Sequence, residues 1–258
     1  MDLPLDHVRT LLAVVDEGTF DAAAAALHVT PSAISQRIKV LEQRTGRVLL
    51  LRTKPVQLTD SGRLVVRFAR QVAHLERDVR AELGVAEPAR LPIAVNADSL
   101  ATWFLPALTQ VPDVYFELHR EDESHTTDLL REGLVMAAVT ASPEPVAGCS
   151  VRPLGAMRYT PAAEPTFAAH WRGRLAEAPV VVFDRRDEMQ DRYVRDTTDA
   201  LGASRFRHHV PASEAFAAAV TAGLGWGLVP AQHADPRLRT GALVALGEPI
   251  DVPLYWQQ

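Results

Sequence analysis

Residues 19–46 predict two short helices joined by a tight turn, and this pattern constrains the fold more than any other segment. The first helix, at about 21–27, is almost entirely alanine, which favours helix and allows another backbone to approach closely. Thr30 is placed as an N-cap, Pro31 suits the first position of a second helix, and Gly46 supplies its C-terminal stop. This spacing is typical of a helix-turn-helix, whose second helix enters the major groove of DNA.

The predicted second helix has one apolar stripe, formed by Ile34, Ile38 and Leu41, and polar side chains on its other faces. Hydroxyl, amide and guanidinium groups near the start of such a helix can read base edges or bind phosphates. Together with two cations that follow, the candidate DNA-binding residues are Thr30, Ser32, Ser35, Gln36, Arg37, Lys39, Arg52 and Lys54. Arg37 is expected to discriminate between sequences, and Arg52 to contribute mainly affinity. A surface helix with solvated polar side chains is the alternative.

Charge is distributed unevenly along the chain. Residues 30–70 contain nine Lys or Arg and two acids, whereas the whole chain has a formal net charge of -5. A cationic segment followed by an acidic remainder is typical of a domain that binds phosphates joined to a domain that binds another ligand. The expected macromolecular partner is therefore double-stranded DNA.

The segments around the helix pair predict a winged domain and a dimerisation helix. A helix at about 5–17 is expected to pack beneath the pair, and short strands at 48–52 and 56–58 to form the wing. A helical pattern at about 59–83 has one narrow apolar stripe, and the simplest partner for it is the same helix of a second copy. The predicted dimerisation residues are Val65, Phe68, Val72, Leu75 and Val79. Packing against its own domain is the alternative.

Short apolar runs alternate with helical patterns after residue 92, which predicts an α/β domain with a largely parallel sheet. A proline-rich stretch at 161–165 suggests two lobes, with ligands bound in the crevice between strand ends and helix starts. The predicted domains are a winged helix-turn-helix at 1–60, a linker helix at 61–84, a hinge at 85–92 and an effector domain at 93–258. Its first lobe is predicted to comprise about 93–160 and 231–258, and its second lobe about 161–230.

Composition and motifs exclude several classes of protein. The chain of 258 residues has one cysteine, so it cannot form an internal disulfide, and no stretch approaches the ~20 apolar residues that span a bilayer. We expect a cytoplasmic protein without a membrane partner. The sequence lacks a Gly-x-Ser-x-Gly elbow, a Walker loop and a His-Glu-x-x-His motif. No catalytic residue, metal site or cofactor is predicted, although an enzyme or a solute-binding protein on a two-lobed fold remains an alternative.

The sequence resembles the LysR-type transcriptional regulators. The matching positions are Gly18-Thr19-Phe20, Ala23-Ala24, Leu27, Ser32-Ala33-Ile34-Ser35, Ile38, Leu41-Glu42, Gly46, Leu50, Arg52 and Leu58-Thr59-Asp60-Ser61-Gly62. The resemblance implies an N-terminal winged helix-turn-helix, a long linker helix, a two-lobed effector-binding domain of periplasmic-binding-protein type, and assembly into dimers or tetramers. It also implies RNA polymerase as a further partner.

Three segments resemble the branch of that family that responds to lysine and arginine and controls a basic amino acid exporter. These segments are 94–108, 183–187 and 225–230. The resemblance therefore implies a basic amino acid as the effector. An effector of another class, neutral or aromatic, is the alternative.

A free basic amino acid needs donors for its carboxylate and acids for its two cations. Ser99 and Thr102 lie where a strand gives way to a helix and are candidates to hold the carboxylate, whereas Asp98 could bind the ammonium. Acids at other predicted strand ends or helix starts could bind the side-chain cation, and Thr140 could add a hydroxyl. These acids are Asp122, Glu123, Asp184, Asp187 and Glu214, of which Asp184 and Glu214 are preferred. Any one of them could instead simply cap a helix.

Overall fold

The computed structural model describes residues 3–84, 89–112, 114–121 and 126–258. Its helices are α1 (Leu5–Asp16), α2 (Phe20–Ala26), α3 (Pro31–Thr45), α4 (Asp60–Glu82), α5 (Ala97–Ser99), α6 (Leu105–Leu108), α7 (Thr126–Arg131), α8 (Pro165–His170), α9 (Met189–Thr197), α10 (Ser213–Thr221) and α11 (Ala231–Arg239). Its strands are β1 (Leu50–Leu51), β2 (Gln57–Leu58), β3 (Ala89–Asn96), β4 (Val114–Glu121), β5 (Ala137–Thr140), β6 (Val151–Ala163), β7 (Val180–Val182), β8 (Arg207–His209), β9 (Gly227–Pro230), β10 (Val244–Ala245) and β11 (Ile250–Gln257). A π-helical turn, Leu100–Phe104, separates α5 from α6.

The N-terminal domain is a winged helix-turn-helix. The side chains of Thr19 and Thr30 accept hydrogen bonds from backbone N–H groups at the starts of α2 and α3, and Gly46 ends α3 with φ = 64°. The stripe predicted on α3 is buried in the core of this domain. The antiparallel pair β1 and β2 forms the predicted wing.

Helix α4 has one face in this core and another in solvent. Val65, Val66 and Ala69 are buried against α1 and α3, whereas Leu64 and Leu75 are 65% and 63% exposed. Assigning Val65 to the dimerisation stripe was therefore wrong, because this side chain stabilises its own domain. The exposed apolar residues of α4 are Leu64, Phe68, Leu75 and Val79.

The C-terminal domain contains a seven-stranded mixed sheet with the order β10-β6-β11-β5-β3-β4, and β9 also pairs with β6. The expectation of a largely parallel sheet was wrong. Only β3 with β4 and β3 with β5 pair in parallel there, because the long strands β6 and β11 run antiparallel to their neighbours. A separate parallel pair, β7 and β8, includes His208 and His209.

The cores of the C-terminal domain do not separate at the predicted lobe boundary. Ala234 and Leu243 pack with Val181 and Phe216, although the predicted division placed 231–258 in the first lobe. Part of the predicted hinge, 85–88, lies outside the described residues. The domain limits therefore stay predictions, and "first lobe" below means β3, β4, β5 and the elements between them. Over the described ranges, no helix is both long and apolar enough to cross a membrane.

Candidate DNA-binding and effector-binding sites

The start of α3 presents most of the predicted DNA-binding side chains to solvent. Ser32, Gln36 and Lys39 are exposed, and Ser35 is half-buried. The hydroxyl of Thr30 caps the helix and lies 2.9 Å from that of Ser32. This face therefore offers hydroxyl, amide and ammonium groups on a helix of 15 residues, a length and chemistry that suit the major groove.

Arg37 points toward α1. Its Nη1 donates to the hydroxyl of Thr10 at 3.3 Å, and Thr10 is fully buried. Burial lowers the pKa of the neighbouring His7, with further contributions from the positive charges of Arg37 and Arg44. The geometry therefore gives Arg37 a role in packing α3 against α1, whereas Gln36 lies on the exposed face.

The wing places its two predicted cations in solvent. Arg52 and Lys54 are both exposed, and the Arg52 guanidinium lies 5.5 Å from the ring centre of Phe20 at the start of α2. This cation–π contact orients the Arg52 side chain without removing it from water. A cation held beside the helix pair is well placed for a phosphate.

The second candidate site is centred on Asp98, directly after β3. The Tyr159 hydroxyl donates to Asp98 Oδ2 at 2.8 Å. Burial raises the pKa of Asp98 above its usual value, whereas the hydrogen bond from Tyr159 and the nearby Ser213 hydroxyl and His233 oppose that shift. A buried carboxyl beside so few cations is a site that a ligand's positive charge can stabilise.

Groups from several elements surround Asp98. Ser213 begins α10 and His233 lies on α11, and the negative charge of Asp187 contributes to the raised pKa of Asp98. Asp187 itself accepts backbone N–H bonds from Phe183 and Met189. Ser99 Oγ is buried without a hydrogen-bond partner among the described residues. The site thus combines acids with hydroxyls, as an amino acid ligand requires.

Other predicted effector residues have local partners. Thr102 donates its hydroxyl to the backbone oxygen of Asp98, and buried Thr140 accepts from the Ser142 N–H. Asp184 accepts from the backbone N–H groups of two following residues, as turn carboxylates do. Glu214 is exposed. Asp122 and Glu123 lie outside the described residues.

The C-terminal domain has a cleft of about 250 Å³. Its lining includes Trp103, Met157, Gln232 and Leu254. Met157 lies two residues before Tyr159 on β6, so the two buried side chains share one face of the sheet. The cleft therefore offers an aromatic ring and aliphatic groups, and its lining residues Trp103 and Gln232 are next in sequence to Thr102 and His233.

Sequence reasoning did not single out Tyr159, Ser213 or His233. They lie 61, 115 and 135 positions after Asp98, and no local motif marks them. For Tyr159, the available signal was a tyrosine in the second half of an apolar strand, since a buried tyrosine hydroxyl usually has a hydrogen-bond partner. In the described part of the chain, no group of three His, Cys, Asp or Glu side chains could hold a metal ion.

Comparison with known families gives two matches. Residues 5–63 match the bacterial regulatory helix-turn-helix protein family, lysR type, and residues 86–257 match the LysR substrate binding domain. Together they span the helix-turn-helix, the wing and the whole mixed sheet.

Individual relatives are similar over nearly the full chain. The lysine export transcriptional regulatory protein LysG of Corynebacterium efficiens is 44% identical, over 98% of this chain and 90% of its own. A crystal structure of ArgP from Mycobacterium tuberculosis is 44% identical with a TM-score of 0.93, over 100% of this chain and 91% of its own.

Two structures of full-length LysG from Corynebacterium glutamicum, each 40% identical, match to different extents. The structure with bound effector Arg has a TM-score of 0.88, covering 99% of this chain and 91% of its own. The other has a TM-score of 0.62, covering 100% and 91%.

Proposed function

Because the chain belongs to the LysR family of bacterial regulatory proteins, we propose that it binds promoter DNA and changes transcription in response to arginine or lysine. It is a regulator rather than an enzyme, as its relatives are named transcriptional regulators. The buried carboxyl of Asp98, with the Tyr159 hydroxyl at 2.8 Å and the charge of Asp187 nearby, is the observation that carries the effector proposal. The proposed target is the gene of a basic amino acid exporter, and the proposed location is the cytoplasm.

Recognition of the effector would rest on charge. Asp98 would bind one cation of the amino acid, and Asp187 lies near enough to contribute to the negative potential of the same site. The buried hydroxyls of Ser99 and Ser213 supply polar groups suited to the carboxylate. An effector without an ammonium group would leave the buried acid without a counter-charge, which is energetically unfavourable. A neutral or aromatic amino acid has only its α-ammonium to offer, whereas a basic one brings a second cation for the second acid, Asp187. For this reason we favour a basic amino acid.

Two experiments test the proposal. Titration calorimetry with a panel of amino acids should give heat with arginine or lysine. Heat with a neutral or aromatic amino acid alone would contradict the proposed effector.

DNase footprinting of the DNA upstream of the protein's own gene should show protection at modest ionic strength, and absence of protection would contradict the DNA-binding role. Contact with RNA polymerase stays a prediction of the family resemblance.

Replacing Gln36 with alanine should reduce sequence discrimination. Gln36 is exposed near the start of α3, and loss of a base contact costs about 1–3 kcal/mol at one base pair. Competition binding with operator and random duplex measures the change. Arg37→Ala is the comparison, because Arg37 contacts Thr10 and its loss should lower thermal stability more than discrimination. If Arg37→Ala loses more sequence discrimination than Gln36→Ala, Arg37 contacts the bases, as the sequence alone predicts.

Replacing Arg52 with alanine should lower affinity for every duplex to a similar degree. Arg52 is a wing cation beside Phe20, and a lost phosphate contact reduces the slope of log K against log salt by about one. Binding to operator and random DNA at several salt concentrations measures this slope. Arg172→Ala, an exposed cation on the C-terminal domain, is the control. If the slope is unchanged in Arg52→Ala, Arg52 does not contact a DNA phosphate, and the wing is not part of the DNA interface.

A further inference from the structure

Two glycines of the C-terminal domain lie directly against the linker helix α4. A Cβ on Gly133 would lie 2.7 Å from the Cα and 3.0 Å from the Cβ of Arg67, and a Cβ on Gly148 would overlap the Arg67 guanidinium. Both glycines have positive φ, 67° and 80°. We call this pair, Gly133 and Gly148, the two-glycine notch. Only residues without a side chain leave room for Arg67 there.

Hydrogen bonds hold the two glycines of the notch to helix α7 and strand β11. Gly133 ends α7 through hydrogen bonds from its own N–H to Leu130 and from Leu134 to Leu129. The segment that leads to Gly148 is held by the buried side chain of Gln257 on β11, which accepts from the Val146 N–H and donates to the backbone oxygens of Ser142 and Glu144. A shift of either support therefore moves a glycine relative to Arg67.

The same segment begins at the end of strand β5. Thr140, at the end of β5, accepts a hydrogen bond from Ser142, and the Gln257 side chain binds the chain from there to Val146. Thr140 and Gly148 are thus opposite ends of one short, hydrogen-bonded stretch. This continuity gives a physical connection between the sheet of the first lobe and α4.

The two structures of Corynebacterium glutamicum LysG match this chain with TM-scores of 0.88 and 0.62 at equal identity. Coverage is nearly the same in both, so the two structures of that relative differ in conformation. We infer that the two-glycine notch is a releasable docking contact for α4, closed in this structure and opened when the domains change their arrangement. This inference goes beyond the proposed function, because it does not depend on which effector binds.

Gly133→Ala in the full-length protein tests the inference. The added Cβ meets the backbone of Arg67, which no side-chain rotation relieves, and overpacking of this kind should shift the docked-to-undocked ratio by about tenfold. Hydrogen exchange in peptides covering 62–72 and 132–148 should accelerate by about that factor, and small-angle scattering should show a larger radius of gyration. Gly148→Ala should give a smaller effect, because the guanidinium can swing aside.

Gly241→Ala is the matched control. Gly241 also follows a helix, with φ of 74°, and has no atom within 4 Å of a built Cβ, so this variant reproduces the backbone strain without the overlap. Equal exchange and scattering in Gly133→Ala and Gly241→Ala would overturn the inference.

Arg67→Ala keeps the test valid if Gly133→Ala fails to fold. It should accelerate exchange at 132–148, whereas Arg77→Ala, an exposed arginine of α4, should not. Unchanged exchange in Arg67→Ala would equally overturn the docking role. Footprinting and calorimetry of the wild-type protein test the proposed function separately, so the two ideas can fail independently.

Discussion

Asp98→Asn should reduce the affinity for arginine by about 100-fold or more, because removing one partner of a buried charge pair costs about 2–5 kcal/mol. The substitution keeps the size of the side chain and an acceptor for the Tyr159 hydroxyl, which lies 2.8 Å from Asp98. Titration calorimetry measures the affinity. Asp199→Asn is the control, since Asp199 is an exposed acid of the same domain and should leave binding unchanged. Wild-type affinity in Asp98→Asn would move the ammonium site elsewhere.

The same residue predicts a pH dependence. Burial raises the pKa of Asp98, so the ligand-free fold is stabilised by the protonated carboxyl, and this contribution declines as the pH rises above the usual range of aspartic acid. A bound ammonium instead favours the ionised form. Arginine affinity should therefore fall on acidification at pH values where an exposed aspartate is still ionised, and binding should release protons. Calorimetry in buffers of different ionisation heat measures that release, which Asp98→Asn should abolish.

Leu75→Asp should dissociate the assembly and weaken operator binding by about 100-fold, because each copy would then contact one half-site alone. Leu75 is 63% exposed in the middle of α4, on the same apolar stripe as Phe68 and Val79, which are 38% and 56% exposed. Between the α4 helices of two copies, the aspartate would be buried without an opposite charge, which is energetically unfavourable. Sedimentation velocity measures the assembly, and thermal unfolding should show little change in the domain itself.

Arg77→Asp is the control for Leu75→Asp. It changes charge at an exposed position two residues further along α4, on the opposite side of the helix, and should leave the assembly intact. If Leu75→Asp sediments like the wild type, the apolar stripe of α4 is not the contact between copies.

The N-terminal domain could be predicted closely because its signals are local. The alanine run of α2, the cap at Thr30, the stop at Gly46 and a 3.6-residue period fix α2 and α3 within a residue or two. The apolar period of α4 does not predict which side of the helix faces its own domain, since Leu64 and Val65 are adjacent and both apolar. Burial of Val65 depends on the packing of α1 and α3, which no pattern within α4 contains.

The effector domain was predictable in class but not in connectivity. Strand positions follow from short apolar runs, whereas the antiparallel pairing of β6 with β11 joins residues such as Tyr159 and Ile250, or Val151 and Gln257, that are far apart in the chain. Asp98 was identified from its place between a strand and a helix. Its partners Tyr159, Ser213 and His233 come from three distant elements, and only the folded chain brings them together.

Tyr159 lies on β6, the strand that joins the half of the effector domain containing β11 to the half containing β9. Its backbone lies opposite Ile250 of β11 on one side and Pro230 of β9 on the other, while its hydroxyl binds Asp98. In a rotation about a shared strand, atoms near the axis move least and atoms far from it move most. A ligand that displaces this hydroxyl would act at the axis itself, so a sub-ångström change there could become a displacement of several ångströms at the outer edge of either half.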